Sequence, residues 1–168
     1  MLLILQVNEG GGINMTNEHT VSEKTATVVT NRIIANMGRL HVKLHQYHWY
    51  VKGPNFFTLH EKFEELYDEN QEFFDRLAER LIIKGEKPVS TTEEFIEHAT
   101  ITESPEDKFL TAEEMVAKIV EDFKATRDLT VRAIELAAEE GDDVLEDMLI
   151  EYKEYLDKTI WMLTAFLG

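Results

Sequence analysis

Two histidines and three carboxylates, His48, His60, Glu64, Asp75 and Glu79, fall in one stretch of the chain, with Trp49 beside the first of them. Two imidazoles with three carboxylates suit iron or another transition ion and are too nitrogen-rich for calcium. If residues 58–84 are helical, four of these groups occupy one stripe. At about 100° per residue, with His60 as zero, Glu64 falls at about 40°, Asp75 at about 60° and Glu79 at about 100°. Leu59, Phe63, Leu66, Tyr67, Phe73, Phe74, Leu77 and Leu81 gather at about 220–340°. The candidate ligands therefore form a second face bordering the apolar one.

One chain cannot close this site. The midpoints of the His60/Glu64 and Asp75/Glu79 pairs lie about 22 Å apart along a helix rising about 1.5 Å per residue. Metal–ligand bonds are only about 2 Å long. A two-fold partner running antiparallel would lay its Asp75 and Glu79 over the first chain's His60 and Glu64, and symmetry would generate the site twice. The spacing thus predicts a homo-oligomer with metal sites shared across a two-fold axis.

The elements that must hold these groups are helices, and no strand pattern competes. The first is predicted from about Ser22 to Val51, with Val29, Ile33, Met37, Leu40, Leu44, Tyr47 and Val51 spaced by three and four, and Gly53-Pro54 ending it. The second opens with the capping signature Thr58-x-x-Glu61 and ends at Lys84, before Gly85 and Pro88. The third opens with Thr111-x-x-Glu114 and stops at Gly141. The fourth starts at Asp142 or Asp143, where Asp143-x-x-Glu146 resembles a capping box, and repeats Leu145, Leu149, Tyr152, Leu156, Ile160, Leu163 and Leu167. Short loops make helices one and two antiparallel, and likewise three and four. Residues 85–110 are long enough to cross the bundle and predict a short helix from Thr92 to His98, capped by Ser90 or Thr91. An all-α four-helix bundle with one long crossover is the ferritin-like arrangement.

Two segments carry the motifs to a family. The run from His48-Trp49-Tyr50 through Gly53-Pro54-Asn55-Phe56-Phe57-Thr58-Leu59-His60-Glu61-Lys62-Phe63-Glu64 resembles the first signature of the Dps family, the mini-ferritins of starved bacterial cells. Phe74-Asp75-Arg76-Leu77-Ala78-Glu79-Arg80 resembles the second, and the likeness runs from about Thr25 to the C-terminus. The resemblance implies a hollow dodecameric shell in the bacterial cytoplasm or nucleoid that oxidises Fe(II), usually with hydrogen peroxide, and stores the ferric mineral inside. It implies two iron ions per inter-subunit site, held by His48, His60 and Glu64 from one subunit and by Asp75 and Glu79 from its two-fold mate. It places Trp49 near the metals, where an indole could absorb a stray oxidising equivalent; plain interface packing is the alternative. Asp143 and Asp147 match positions lining three-fold iron-uptake pores, although Ala138 replaces an acidic position found in some relatives. Many members carry Asp where this chain has Glu64, one methylene longer.

Other features leave choices open. His41, His45 and His48 share a face of the first helix, as a separate zinc or copper site or as half-buried histidines making hydrogen bonds. The larger ferritins, with a di-iron centre inside each bundle, use Glu-x-x-His motifs. None occurs here.

Composition narrows the classes further. At 168 residues the chain fits one domain, and no apolar run approaches the roughly 18 residues that span a membrane. Cysteine is absent, which excludes disulfides and thiolate metal sites and suits a reducing cytosol. The net charge of −16 attracts cations and repels nucleic acid at long range. Direct DNA compaction is the competing function, since some relatives bind DNA through lysine-rich tails. Here the segment from Met15 to Lys24 sets one lysine against Glu18 and Glu23, and the chain ends at Leu167-Gly168 without a basic tail. Residues 1–24 are read as an N-terminal arm and 25–168 as the bundle domain. Glu9-Gly10-Gly11-Gly12, shortly before Met15, is what a translated ribosome-binding site would encode, so Met15 is read as the natural start and residues 1–14 as non-native, with an expression tag or a genuine short arm as the alternative.

Overall fold

The computed structural model describes residues 25–168; the N-terminal arm and the proposed start at Met15 lie outside them. Helix α1 spans Ala26–Tyr50, α2 Phe56–Ile83, α3 Thr92–His98, α4 Ala112–Glu140 and α5 Asp143–Leu167, with a 3-10 turn at Pro105–Phe109. Among the described residues there is no strand, and no helix is long and apolar enough to cross a membrane.

The long helices form a ring in which α1 packs on α2 and α4, and α5 on α4 and α2. The apolar stripes read from periodicity meet in its centre. Val29, Ile33, Met37, Leu40, Leu44 and Tyr47 of α1 are buried, as are Phe63, Leu66 and Leu77 of α2, Phe123 of α4 and Tyr152 of α5. Each such side chain contributes about 1.5–3 kcal/mol relative to exposure. The ends identify the directions. The Ala26 N–H donates to the Glu140 carboxylate, so the start of α1 lies by the end of α4. Arg80 and Lys84, at the end of α2, pair with Asp142 at the start of α5.

The crossover must therefore travel the length of the bundle, and α1 holds it by polar bonds in register. The Asn31 amide donates to the Lys87 carbonyl and accepts from the Val89 N–H. Further along, Asn36 binds Thr100, Arg39 pairs with Glu103, Gln46 donates to the Ser104 carbonyl and the Tyr47 hydroxyl donates to Asp107. Phe95 of α3 lies over Gly38, where a side chain would have no room.

The capping signatures divide into met and unmet. Thr91/Glu94 and Thr111/Glu114 form full capping boxes, and Gly141 ends α4 in the left-handed conformation (φ 71°) that glycine adopts without strain. Thr58 and Glu61 do not cap α2, which begins two residues earlier. The Phe56 N–H already finds the Gly53 carbonyl, and the Phe56 ring stacks on His60. The cap of α5 is Asp142, not Asp143: its carboxylate accepts from the Leu145 N–H while holding Arg80 and Lys84. The 3-10 turn, absent from the sequence expectation, is organised by buried Asp107 between Tyr47 and Lys118.

Candidate metal centre

The α1–α2 turn makes the site. Gly53, at φ 105°, reverses the chain within five residues, so the last turn of α1 faces the first turns of α2. The Nδ1–H of His48 donates to the His60 carbonyl at 2.8 Å, and the Nδ1–H of His60 donates to the His48 carbonyl at 2.8 Å. A carbonyl can only accept, so each Nδ1 carries a proton, and in the neutral ring the lone pair lies on Nε2. That is the tautomer fixing expected of metal-ligating histidines. The two rings stack at 3.7 Å with 20° between their planes, and Phe56 backs His60 at 5.0 Å.

Glu64 follows one turn after His60, exposed. Tyr67 closes this side of the site. Its phenol approaches Glu64, its ring edge meets His48 at 5.6 Å, and its face stacks on His45 at 3.9 Å. Desolvation, followed by the carboxylates of Glu64 and Asp68, holds the phenol above its ordinary range. Trp49 is exposed and touches His45 edge-on at 5.6 Å, beside the histidine cluster.

Asp75 and Glu79 lie exposed further along α2, without a hydrogen-bond or ion-pair partner among the described residues. Among those residues no three histidine or carboxylate groups of one chain converge as a metal site. The single subunit brings His48, His60 and Glu64 to one end of α2 and leaves Asp75 and Glu79 toward the other. Asp143 and Asp147 are both exposed on the first turns of α5, at the end of the bundle away from His48.

Two residues of the site escaped the sequence reading. The spacing places Tyr67 on the apolar face, yet its position three residues after Glu64 is also a signal for contact. Asp68 lies at about 80° on the same wheel, inside the ligand stripe.

A Ferritin-like domain model matches residues 29–168. The DNA protection during starvation protein of Listeria innocua is 44% identical over 149 residues, covering 89% of this chain and 96% of that protein. The chain belongs to the Dps family. The crystallographic Dps of Listeria monocytogenes superposes with a TM-score of 0.83 at 44% identity, over 86% of this chain and 94% of that one. A Listeria innocua Dps in which two histidines were replaced by glycine matches this Dps-family chain equally well, with a TM-score of 0.83 and 44% identity over 86% and 95% of the two chains. The replaced histidines are separated by 12 positions, the spacing of His48 and His60.

Proposed function

We propose that this protein is a ferroxidase and iron-storage mini-ferritin, and that it works as a dodecamer in the bacterial cytoplasm. The observation that carries the proposal is the His48/His60 pair, both rings held through Nδ1, with His60 on the same stripe of α2 as Asp75 and Glu79, two carboxylates that have no partner among the described residues. An antiparallel two-fold pairing of α2 helices would set the partner's Asp75 and the partner's Glu79 over His60 and Glu64, completing five donors.

Iron is the substrate. Two ferrous ions per site would each give one electron to hydrogen peroxide, whose O–O bond breaks; two protons are taken up and two waters leave. No hydroxyl radical is released. The fixed imidazoles hold ion positions, while the carboxylates favour the harder ferric product. Trp49, beside His45, is available to quench a stray oxidising equivalent. Asp143 and Asp147, repeated around a three-fold axis, would focus cations at an uptake pore, in keeping with the net charge of −16. The same charge opposes direct contact with DNA, so protection of DNA follows from removing Fe(II) and peroxide together.

The test is anaerobic Fe(II) titration followed by peroxide, with the mass of the assembly measured alongside. The expected result is about two tightly bound Fe(II) per chain, one peroxide consumed for each pair, and about twelve times the 19.5 kDa chain mass. A monomer, or peroxide left unconsumed in the presence of Fe(II), would reject the proposal.

A further inference from the structure

One turn back along α1 from His48 lies a second pair of imidazoles that the five-donor site does not use. The Nδ1–H of His45 donates to the His41 carbonyl at 2.7 Å, so in the neutral ring the lone pair lies on Nε2. Its ring is held on both sides, stacked on Tyr67 at 3.9 Å and met by the edge of Trp49 at 5.6 Å. A side chain so fixed loses little freedom on gaining a ligand.

His41 has a different anomaly. Its Nδ1 is buried and has no hydrogen-bond partner among the described residues. The carbonyl one turn earlier, that of Met37, accepts from the Asn70 amide at 2.9 Å. A buried polar atom without a partner is unfavourable, and one explanation for such an atom is a missing ion. Around His41, desolvation and His45 lower its pKa, while Asp68 opposes them.

The spacing of the two rings fits one shared ion. With metal–nitrogen bonds of about 2.1 Å, and each ring centre about 1.1 Å behind its nitrogen, two imidazoles on one ion place their centroids about 4.5 Å apart at the right angle of octahedral coordination and about 5.2 Å apart at the tetrahedral angle. The centroids of His41 and His45 are 4.4 Å apart, with 51° between the ring planes.

We propose that His41 and His45 form a second site for a divalent first-row transition ion, completed by water, with Asp68 on α2 supplying charge balance. This site has two protein donors, against five at the proposed oxidation centre, and is the weaker. Its bound ion lies about one helical turn from the His48/His60 pair and can serve as a reserve for it. That use rests on the ferroxidase reading, whereas binding itself does not.

Zinc(II) is the probe, titrated by calorimetry and equilibrium dialysis into the metal-free assembly of the full chain. Wild type should show a tight phase and a weaker one, the latter filling with one zinc per chain. His60→Ala should abolish the tight phase and keep the weak one. The His41→Ala/His45→Ala pair should do the reverse, and Co(II) absorption should show the same division. Because the alanine pair removes packing against Tyr67, His41→Gln/His45→Gln is measured beside it, with assembly mass as the control. Undiminished weak-phase zinc in the glutamine pair would overturn the proposal, as would a wild type with no weak phase. Either failure would leave the tight phase, and with it the ferroxidase reading, standing.

Discussion

His48 and His60 each donate Nδ1–H to the other's backbone carbonyl, both at 2.8 Å. The imidazoles are thereby locked to the α1–α2 turn before any ion arrives. Each ring's orientation depends on the other helix's main chain, so the pair is rigid only as a pair.

The sharing of the centre can be tested by complementation. His60→Ala in one chain and Asp75→Ala in another should each abolish rapid ferroxidation in pure assemblies. Refolded together, mixed two-fold pairs hold one site with both defects and one with none. Random pairing therefore restores roughly a quarter of the sites. Absence of recovery, with co-assembly shown by mass, would mean that every site draws its ligands from a single chain.

Replacing both Asp143 and Asp147 by Asn should slow iron uptake and flatten its dependence on ionic strength, with assembly unchanged. Stopped-flow uptake at several salt concentrations reads this out. Identical kinetics in the variant would place uptake elsewhere.

Asp142 predicts a pH dependence of stability. Although desolvation opposes it, the pairing with Lys84 and Arg80 and the Leu145 N–H depress its pKa to about 2. A depressed carboxylate stabilises the fold above the ordinary range of about 4, and the contribution is lost as pH falls through about 2. Asp142→Asn keeps a capping side chain but removes the charge. It should lower stability at neutral pH by at most about 2 kcal/mol and flatten the acid limb of the urea-midpoint profile. An unchanged acid limb would count against the ion pair.

Gly38→Ala tests the fastening of the crossover. A Cβ there would sit 2.6–2.9 Å from three atoms of the Phe95 ring. Alanine gains about 1 kcal/mol of helix propensity over glycine, while overpacking costs about 1–3 kcal/mol. The expected net is a loss of about 1 kcal/mol, with faster hydrogen exchange in α3. Protection of α3 equal to wild type would show that Phe95 moves aside freely.

The helices and their apolar stripes were legible because periodicity is local: Val29 to Tyr47 on α1 and Leu145 to Leu163 on α5 are buried as their spacing required. The stripe of His60, Glu64, Asp75 and Glu79 was legible for the same reason. What escaped depended on one irregular turn and on distant partners. Thr58/Glu61 reads as a capping box, but the Gly53 carbonyl and the stacking of Phe56 on His60 start the helix earlier. Asp142 and Asp143 look equivalent until Arg80 and Lys84 arrive from α2. The buried Asp107 of the 3-10 turn is stabilised by Tyr47 and Lys118, both remote from it in sequence. The mutual His48/His60 bonds need the turn geometry, which residue types alone do not reveal.

The clamp on Asp142 has a consequence for how this chain can change over time. Arg80 is the next residue after Glu79, and Asp142 the residue before Asp143, so one ion pair ties the chain beside a proposed iron ligand to the chain beside a proposed uptake carboxylate. A substitution at position 80 or 142 would disturb the backbone beside both of these residues at once. These two positions should therefore drift only in concert, a charge lost on one side being tolerated when the other changes with it.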